Sequence, residues 1–263
     1  MRRPGSVLLV GAGPGDPELL TVRAVTALAR AEAVVHDRLV SAEVLALAPA
    51  AARRIDVGKM PRHHPVPQEE INALLVHLAR LGLTVVRLKG GDPLIFGRGG
   101  EEVEALRAAG IPVEVVPGIT AAQAAAAATG VSLTRRGLAG GVRYVTGHRR
   151  DDAPLDLDWS GLADPATTLV VYMGAAHIAE IAARLMAHGL PGETPVLAVA
   201  AATRPQERRL ASRLDAIARD AAEAGLAAPV LFIIGQVAGL YQPCPLGRID
   251  WALEGLARRG LHA

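Results

Sequence analysis

The chain has 263 residues, a length that suits one large α/β domain or two smaller ones. It is 51% hydrophobic but only 3% aromatic, so its core must be built from Ala, Val, Leu and Ile. The formal net charge is +2 and no Lys/Arg cluster of the nucleic-acid-binding kind occurs, which argues against a nucleic-acid partner.

Cysteine content and hydropathy narrow the class of protein further. Cys244 is the only cysteine, which excludes an internal disulfide and a thiolate metal cluster and fits a reducing cytoplasm. No run of about 18 uninterrupted apolar residues occurs, so the sequence predicts no membrane span. His63 and His64 lack neighbouring carboxylates or thiolates, so we expect a loop there rather than a metal site.

The first half of the chain alternates short β-branched runs with longer helical patterns, which is typical of a mainly parallel sheet covered by helices on both faces. The predicted strands are Ser6–Val10, Ala33–His36, Arg54–Val57, Thr84–Leu88 and Val113–Val116. The predicted helices are Glu18–Arg30, Ala42–Leu47, Gln68–Leu81, Glu101–Ala109 and Ala121–Thr129.

The second half repeats this alternation with a different rhythm. Its predicted strands are Val142–Thr146, Thr168–Met173, Pro195–Ala200, Glu207–Ser212 and Val230–Ile234, and its predicted helices are Ala175–His188 and Leu214–Ala224. Glycine and arginine are dense between Val131 and Gly141, where we expect the halves to meet. The predicted organisation is an N-terminal α/β domain at 1–135, a C-terminal α/β domain at 136–245 and a tail at 246–263.

A glycine-rich loop, residues 11–17, follows the first predicted strand. A dinucleotide-binding fingerprint needs its third glycine at position 16, at the start of a helix that caps a pyrophosphate. Asp16 stands there instead and would repel phosphate, and Pro14 removes a backbone donor. The loop therefore favours a non-phosphate ligand held by backbone, with a tight turn and no ligand as the alternative.

A second glycine-rich run, Lys89–Glu102, is the most informative segment of the chain. It follows a predicted buried strand and precedes a predicted helix, so it lies at the carboxyl end of a strand, where open α/β sheets bind ligands. Its Asp92, Arg98 and Glu101 bring more charge than a simple turn needs. The run therefore predicts a ligand site at this edge of the sheet.

Taken together, eight segments resemble the uroporphyrinogen-III C-methyltransferases of the tetrapyrrole methylase family, in order and over about residues 6–240. They are Val10–Pro17, Asp37–Val40, Val57–Lys59, Val66–Asn72, Lys89–Glu102, Val116–Ala121, Val145–His148 and Tyr172–Gly174. The resemblance implies the tetrapyrrole methylase fold, with two α/β domains, mainly parallel or mixed sheets and a cleft between them, in a homodimer. It also implies S-adenosylmethionine as methyl donor and methylation of uroporphyrinogen III at carbons 2 and 7, giving precorrin-2 through precorrin-1.

The resemblance also implies the residues of the site. Cofactor contacts are expected from Pro14, Gly90, Gly91, Asp92, Ile95, Thr120, Ala121, Met173 and Ala202. Asp37 is expected to accept a proton and Lys59 to donate one, with Arg98 as a competing candidate for proton handling. No metal is expected.

The substrate carries acetate and propionate arms, which arginine can bind through two parallel hydrogen bonds while keeping its charge. Arg38, Arg98 and Arg136 lie in the matching motifs, so we expect them to hold these arms. Glu101 is expected to accept from pyrrole N–H groups or to orient an arginine.

Two segments depart from the family pattern. Ala200–Thr203 stands where the family commonly has Glu-Asn-Gly-Thr, and Thr134–Leu138 where it often has Thr-His-Arg-Asp-Tyr. These changes leave two alternatives open: a methyltransferase for a later corrin precursor, and a sensor that binds the cofactor without catalysis.

Overall fold

The structure, a computed structural model, describes residues 5–58, 66–148 and 155–243. In this part of the chain, ten strands form two five-stranded sheets. The first sheet contains β1 (Ser6–Gly11), β2 (Ala33–His36), β3 (Arg53–Asp56), β4 (Thr84–Lys89) and β5 (Val113–Val116). The second contains β6 (Gly141–Thr146), β7 (Thr167–Tyr172), β8 (Pro195–Ala200), β9 (Arg208–Arg213) and β10 (Val230–Ile234).

Helices alternate with these strands. They are α1 (Val22–Ala29), α2 (Ala42–Leu45), α3 (Gln68–Arg80), α4 (Gly99–Ala108), α5 (Ala121–Thr129), α6 (Trp159–Leu162), α7 (Ile178–Ala187) and α8 (Ile217–Glu223). Among the helices of the described ranges, none combines the length and the apolar character needed to cross a bilayer.

The first sheet has the strand order β3-β2-β4-β1-β5, and every neighbouring pair is parallel. Helices α1 and α2 pack on one face, whereas α3 and α4 pack on the other. Since both faces are covered, the central strands are apolar on both sides, as in β4, where Val85 and Val86 are both fully buried. The parallel sheet covered on both faces is thus confirmed.

The strand order of the first sheet reverses between β1 and β4. From β1 the chain passes to β2 on one side, and from β4 it passes to β5 on the other. The helices that follow these two strands, α1 and α4, lie on opposite faces. Open α/β sheets bind ligands in a crevice outside the carboxyl ends of the strands at such a point, so we expect the crevice beside the carboxyl ends of β1 and β4.

The second sheet is mixed. In the order β6-β7-β10-β8-β9 only β6 and β7 are parallel, and the other pairs are antiparallel. Helices α6, α7 and α8 cover one face, while α5 and residues 131–139 cover the other. Helix α5 can approach closely because its inward residues, Ala122 and Ala125, are small and fully buried. The domain boundary at 135 and 136 stays a prediction.

The observed elements differ from the predicted ones mainly at helix starts. The predicted helix Glu18–Arg30 is divided into a 3₁₀ turn, Pro17–Leu19, and α1, because Thr21 starts a new helix by accepting a hydrogen bond from the Ala24 amide. Helix α4 begins at Gly99, two residues before its predicted start. The short helix α6 was not predicted, since its four residues give too brief a periodic pattern.

Candidate active site

Three loops meet at the carboxyl edge of the first sheet through glycine backbones. A Cβ on Gly118 would lie 2.2 Å from the Gly91 carbonyl oxygen, and one on Gly11 would lie 2.5 Å from the Gly118 Cα. Gly13 and Gly91 exchange two backbone hydrogen bonds, with N–O distances of 3.2 and 2.7 Å. Only glycine permits this approach, so the loops after β1, β4 and β5 form one backbone-lined surface.

Asp92 ties two of these loops together. Its Oδ2 accepts a hydrogen bond from the Gly118 amide at 3.0 Å, and its Oδ1 accepts one from the Leu94 amide at 2.8 Å. Each carboxylate oxygen can accept a second hydrogen bond, so Asp92 can still receive a ligand hydroxyl or amino group. Asp92 thus holds the loops after β4 and β5 together and keeps acceptor capacity.

Asp37 follows β2 and reaches the same surface. Its Oδ2 accepts from the Gly90 amide at 3.4 Å and its Oδ1 from the Leu39 amide at 3.0 Å. Arg38, next to it, is exposed, and Lys59 lies outside the described residues. The structure therefore brings the predicted proton acceptor to the glycine loop of β4.

A buried ionic cluster lies at the end of β4, and sequence reasoning did not assign it a role. Glu102 Oε1 accepts hydrogen bonds from Arg87 Nε and Lys89 Nζ, both at 3.0 Å, and from Gln68 Nε2 at 3.2 Å. All four side chains are at least nine-tenths buried. Burial, with the neighbouring charge of Arg87, lowers the pKa of Lys89. The available signal was that Lys89 is one of only two lysines and ends a buried strand.

Arg98 and Glu101 form a second, exposed ion pair. Arg98 precedes α4 with a left-handed φ of 57°, and its guanidinium donates to both carboxylate oxygens of Glu101, at 2.8 and 2.7 Å. About half of each side chain is exposed. The hydrogen bond from Arg98 to Glu101 raises the pKa of the guanidinium. This contact is the one expected if Glu101 orients an arginine.

Aromatic rings connect the β4 loop to the second sheet. The ring of Tyr172 lies 5.0 Å from that of Phe96 and 5.6 Å from that of Tyr144, measured between centroids. The Tyr172 hydroxyl accepts a hydrogen bond from the Ala122 amide at 3.2 Å, and burial raises its pKa. The Phe96–Tyr172 contact therefore joins the β4 loop to the second sheet, and Tyr144 packs on Tyr172 within that sheet.

Three further predicted cofactor contacts, Thr120, Met173 and Ala202, lie at the start of α5 and on the second sheet. A Cβ on Gly91 would lie 3.9 Å from the Cα of Thr120, which starts α5. Met173 directly follows Tyr172, is half exposed and has a φ of 54°. Ala202 packs against the same apolar face of the second sheet as Tyr172. The assignment of the nine residues to cofactor binding stays a prediction.

Not every predicted residue joins this group. Arg136 is exposed on a turn closed by hydrogen bonds between Arg135 and Ala139, and it takes part in none of the contacts above. His63 and His64 lie outside the described residues. Over residues 5–58, 66–148 and 155–243, no three His, Cys, Asp or Glu side chains come together in a way that could hold a metal ion.

Comparison with known proteins supports the family resemblance found in the sequence. The sequence pattern of the family Tetrapyrrole (Corrin/Porphyrin) Methylases matches residues 6–218. The chain is 61% identical over 253 residues to a uroporphyrinogen-III C-methyltransferase of Paracoccus denitrificans, which covers 95% of this chain and 88% of the relative. It is 50% identical over 256 residues to a siroheme synthase of Methylococcus capsulatus, covering 97% of this chain but only 54% of the relative. The chain thus spans about half the length of such siroheme synthases.

A solved structure agrees with the sequence relatives. The crystal structure of uroporphyrin-III C-methyl transferase from Thermus thermophilus complexed with S-adenyl homocysteine is 45% identical, with a TM-score of 0.77 over 90% of this chain and 100% of that one. The resemblance found in the sequence and the expected fold are therefore confirmed. Because the family pattern covers most of the chain and the Paracoccus relative matches nearly all of it, the chain belongs to the tetrapyrrole methylase family.

Proposed function

We propose that the chain is an S-adenosylmethionine-dependent enzyme that methylates uroporphyrinogen III at carbons 2 and 7, giving precorrin-2 through precorrin-1. The observation that carries the proposal is the 61% identity with the Paracoccus uroporphyrinogen-III C-methyltransferase over 95% of the chain. The geometry at the carboxyl edge of the first sheet supports the same chemistry.

The residues of the crevice suit the cofactor. S-adenosylmethionine supplies an electrophilic methyl group on a positively charged sulfur. Gly90 and Gly91 offer backbone without side chains, Asp92 keeps free acceptor capacity, and Met173 offers an apolar contact for adenine. The methyl of Ala202, which departs from the family glycine, packs against the apolar face of the second sheet. That departure is therefore compatible with cofactor binding.

Catalysis by this site rests mainly on alignment. A pyrrole carbon is itself electron-rich and needs little acid–base help to attack a methyl group. Holding two reactants in a productive geometry can lower the activation free energy by about 7–11 kcal/mol at best. The hydrogen bonds between the glycine loops and Asp92 fix the backbone that would position the methyl donor.

Substrate recognition is assigned to the arginines. Arg98 and Arg38 lie on loops at the same edge of the first sheet, and both side chains are largely exposed. We propose that they bind the carboxylate arms of the macrocycle, and that Glu101 holds Arg98 in place. Arg136, on the turn before β6, would serve the arms farther from the first sheet.

Proton removal after methyl transfer is assigned to Asp37. Its carboxylate lies at the Gly90 amide and is only partly buried, so it can accept a proton. Because Glu101 raises the pKa of Arg98, that guanidinium is better suited to holding carboxylates than to exchanging protons. Lys59 remains the proposed proton donor on the basis of its motif.

We further propose that the protein is a homodimer of the cytoplasm, as the family resemblance and the single cysteine suggest. Its product would feed sirohaem, cobalamin or haem d1 formation.

The direct test is to incubate the purified protein with uroporphyrinogen III and S-adenosylmethionine without oxygen and to follow product mass. Two added methyl groups are expected. Turnover only on a precursor that is already methylated would replace the proposal with a later corrin methyltransferase. Cofactor binding with no turnover on any of these substrates would replace it with a sensor.

A further inference from the structure

Arg204 occupies a folded loop between β8 and β9 of the second sheet. Its amide donates to the Ala201 carbonyl at 3.0 Å, and the Thr203 amide donates to Glu207 Oε2 at 2.6 Å. Ala201 and Thr203 have φ values of 48° and 67°, in the left-handed region that non-glycine residues avoid. The loop is therefore folded back on its own sheet, and the Arg204 side chain projects from it.

The Arg204 side chain crosses to two loops of the first sheet. Nε donates to the Pro14 carbonyl at 3.0 Å, and Nη2 donates to the Leu39 carbonyl. The side chain also lies directly against Gly15, because a Cβ there would lie 2.5 Å from Arg204 Nε. Ser41 Oγ donates to the Gly15 carbonyl at 2.7 Å, so the loops that Arg204 joins also touch each other.

These two loops carry proposed functional residues. Pro14 is a proposed cofactor contact, and the proposed proton acceptor Asp37 lies two residues before Leu39. Both loops lie on the first sheet and Arg204 lies on the second, so its two hydrogen bonds restrain these loops relative to the second sheet. The planar guanidinium bonds both carbonyls through two nitrogens, where a lysine offers a single point charge.

We propose that Arg204 is a positioning residue for cofactor binding, which acts from the second sheet by holding the Pro14 and Leu39 loops of the first sheet in register. The identity of the cofactor in this inference rests on the proposed function. Arg204 prearranges the crevice before the ligand arrives, and prearrangement strengthens binding by reducing the ordering cost.

The experiment compares Arg204→Met, which keeps an unbranched stem without donors, with Arg213→Met as the matched control. Arg213 is an exposed residue of β9 that pairs with Asp215 and makes no contact with the Arg204 loop or the first sheet in the hydrogen bonds of the described residues. Titration calorimetry with S-adenosylhomocysteine should show about tenfold weaker binding for Arg204→Met, which is about 1.4 kcal/mol. The KM for S-adenosylmethionine should rise in the same ratio while kcat falls less than about threefold, because the prearrangement affects binding.

A second readout needs no ligand. Amide hydrogen exchange in residues 12–16 and 38–41 should become faster in Arg204→Met and stay unchanged in Arg213→Met. Arg204→Lys is the test if the methionine variant does not fold. Its binding should be about three- to fivefold weaker, because a single ammonium nitrogen replaces the two guanidinium nitrogens that bond the two carbonyls.

The inference and the proposed function can fail separately. Unchanged exchange, or unchanged S-adenosylhomocysteine affinity in a protein that binds it, would overturn the role of Arg204. Equal losses in Arg204→Met and Arg213→Met would also overturn it, because they would indicate a general loss of structure. The wild-type protein could also fail to bind S-adenosylhomocysteine while exchange is still faster in Arg204→Met. That result would support the loop restraint and overturn S-adenosylmethionine as the cofactor.

Discussion

Helix α4 carries two ion-pair regions that use the same chemistry in opposite surroundings. Glu102 is fully buried and forms ion pairs with Arg87 and Lys89, whereas its neighbour Glu101 is half exposed and forms an ion pair with Arg98. Consecutive residues of a helix point about 100° apart, so one glutamate faces the sheet and the other faces the open edge. The buried contacts of Glu102 therefore hold β4 and α4 together, whereas the exposed pair of Arg98 and Glu101 can be reached by a ligand.

The two regions should respond differently to mutation. Loss of a buried partner leaves uncompensated charges inside the protein, while loss of an exposed partner costs little stability. Mutation of the buried ion pairs should thus lower the free energy of unfolding, and mutation of the exposed pair should lower the rate of turnover.

The largest expected effect is on stability. Glu102→Gln leaves Arg87 and Lys89 buried without a carboxylate, so the free energy of unfolding should fall by about 3–5 kcal/mol. Urea denaturation measures the change, with Glu104→Gln on the exposed side of the same helix as control. A loss below about 1 kcal/mol would show that the cluster does not hold α4 to β4.

The next effect is on turnover. Arg98→Ala should lower kcat/KM on uroporphyrinogen III by about 100-fold, or about 2.7 kcal/mol, because an exposed guanidinium that binds carboxylate arms is removed. S-adenosylhomocysteine affinity and unfolding free energy should stay close to those of the wild type. Arg107→Ala, exposed in the last turn of α4, is the control. Full activity in Arg98→Ala would remove Arg98 from the site.

The smallest effect concerns the pH dependence of stability. Burial beside Arg87 lowers the pKa of Lys89 below the value of 10.5 that it has when unfolded. Between the lowered pKa and 10.5 the unfolded chain binds more protons than the folded chain, so the unfolding free energy should rise with pH in that window. The gain is complete above 10.5 and is lost as pH falls through the lowered pKa.

Urea denaturation from about pH 8 to 10.5 in wild type and Lys89→Met measures this slope. As pH rises, the free energy of unfolding of the wild type should increase relative to that of Lys89→Met. A difference that is flat or that falls with pH would mean that the ammonium group is not penalised by its surroundings.

The sequence was sufficient for features that depend on local pattern. The strand limits Ala33–His36 and Val113–Val116 agree with the structure because both are short runs rich in valine with clear end signals, Glu32 and Asp37 for the first and Pro112 and Pro117 for the second. The convergence of the glycine loops after β1 and β4 also followed, since the carboxyl ends of parallel strands share one edge.

Other features depend on contacts that no local pattern records. Arg204 reaches the Pro14 carbonyl across 190 residues of sequence, and Phe96 meets Tyr172 only because the β4 loop extends to the second sheet. The burial of Glu102 could have been read from its helical phase, but its two cationic partners are on a strand. Long-range packing, rather than propensity, decides these contacts.

The central claim is that the crevice at the carboxyl ends of β1 and β4, beside the second sheet, holds the methyl donor. A crystal structure of the protein with S-adenosylhomocysteine tests this most directly. We expect the ligand beside Gly91 and Asp92, with its adenine near Met173 and Ala202. Ligand density at another place, with this crevice free of it, would contradict the account.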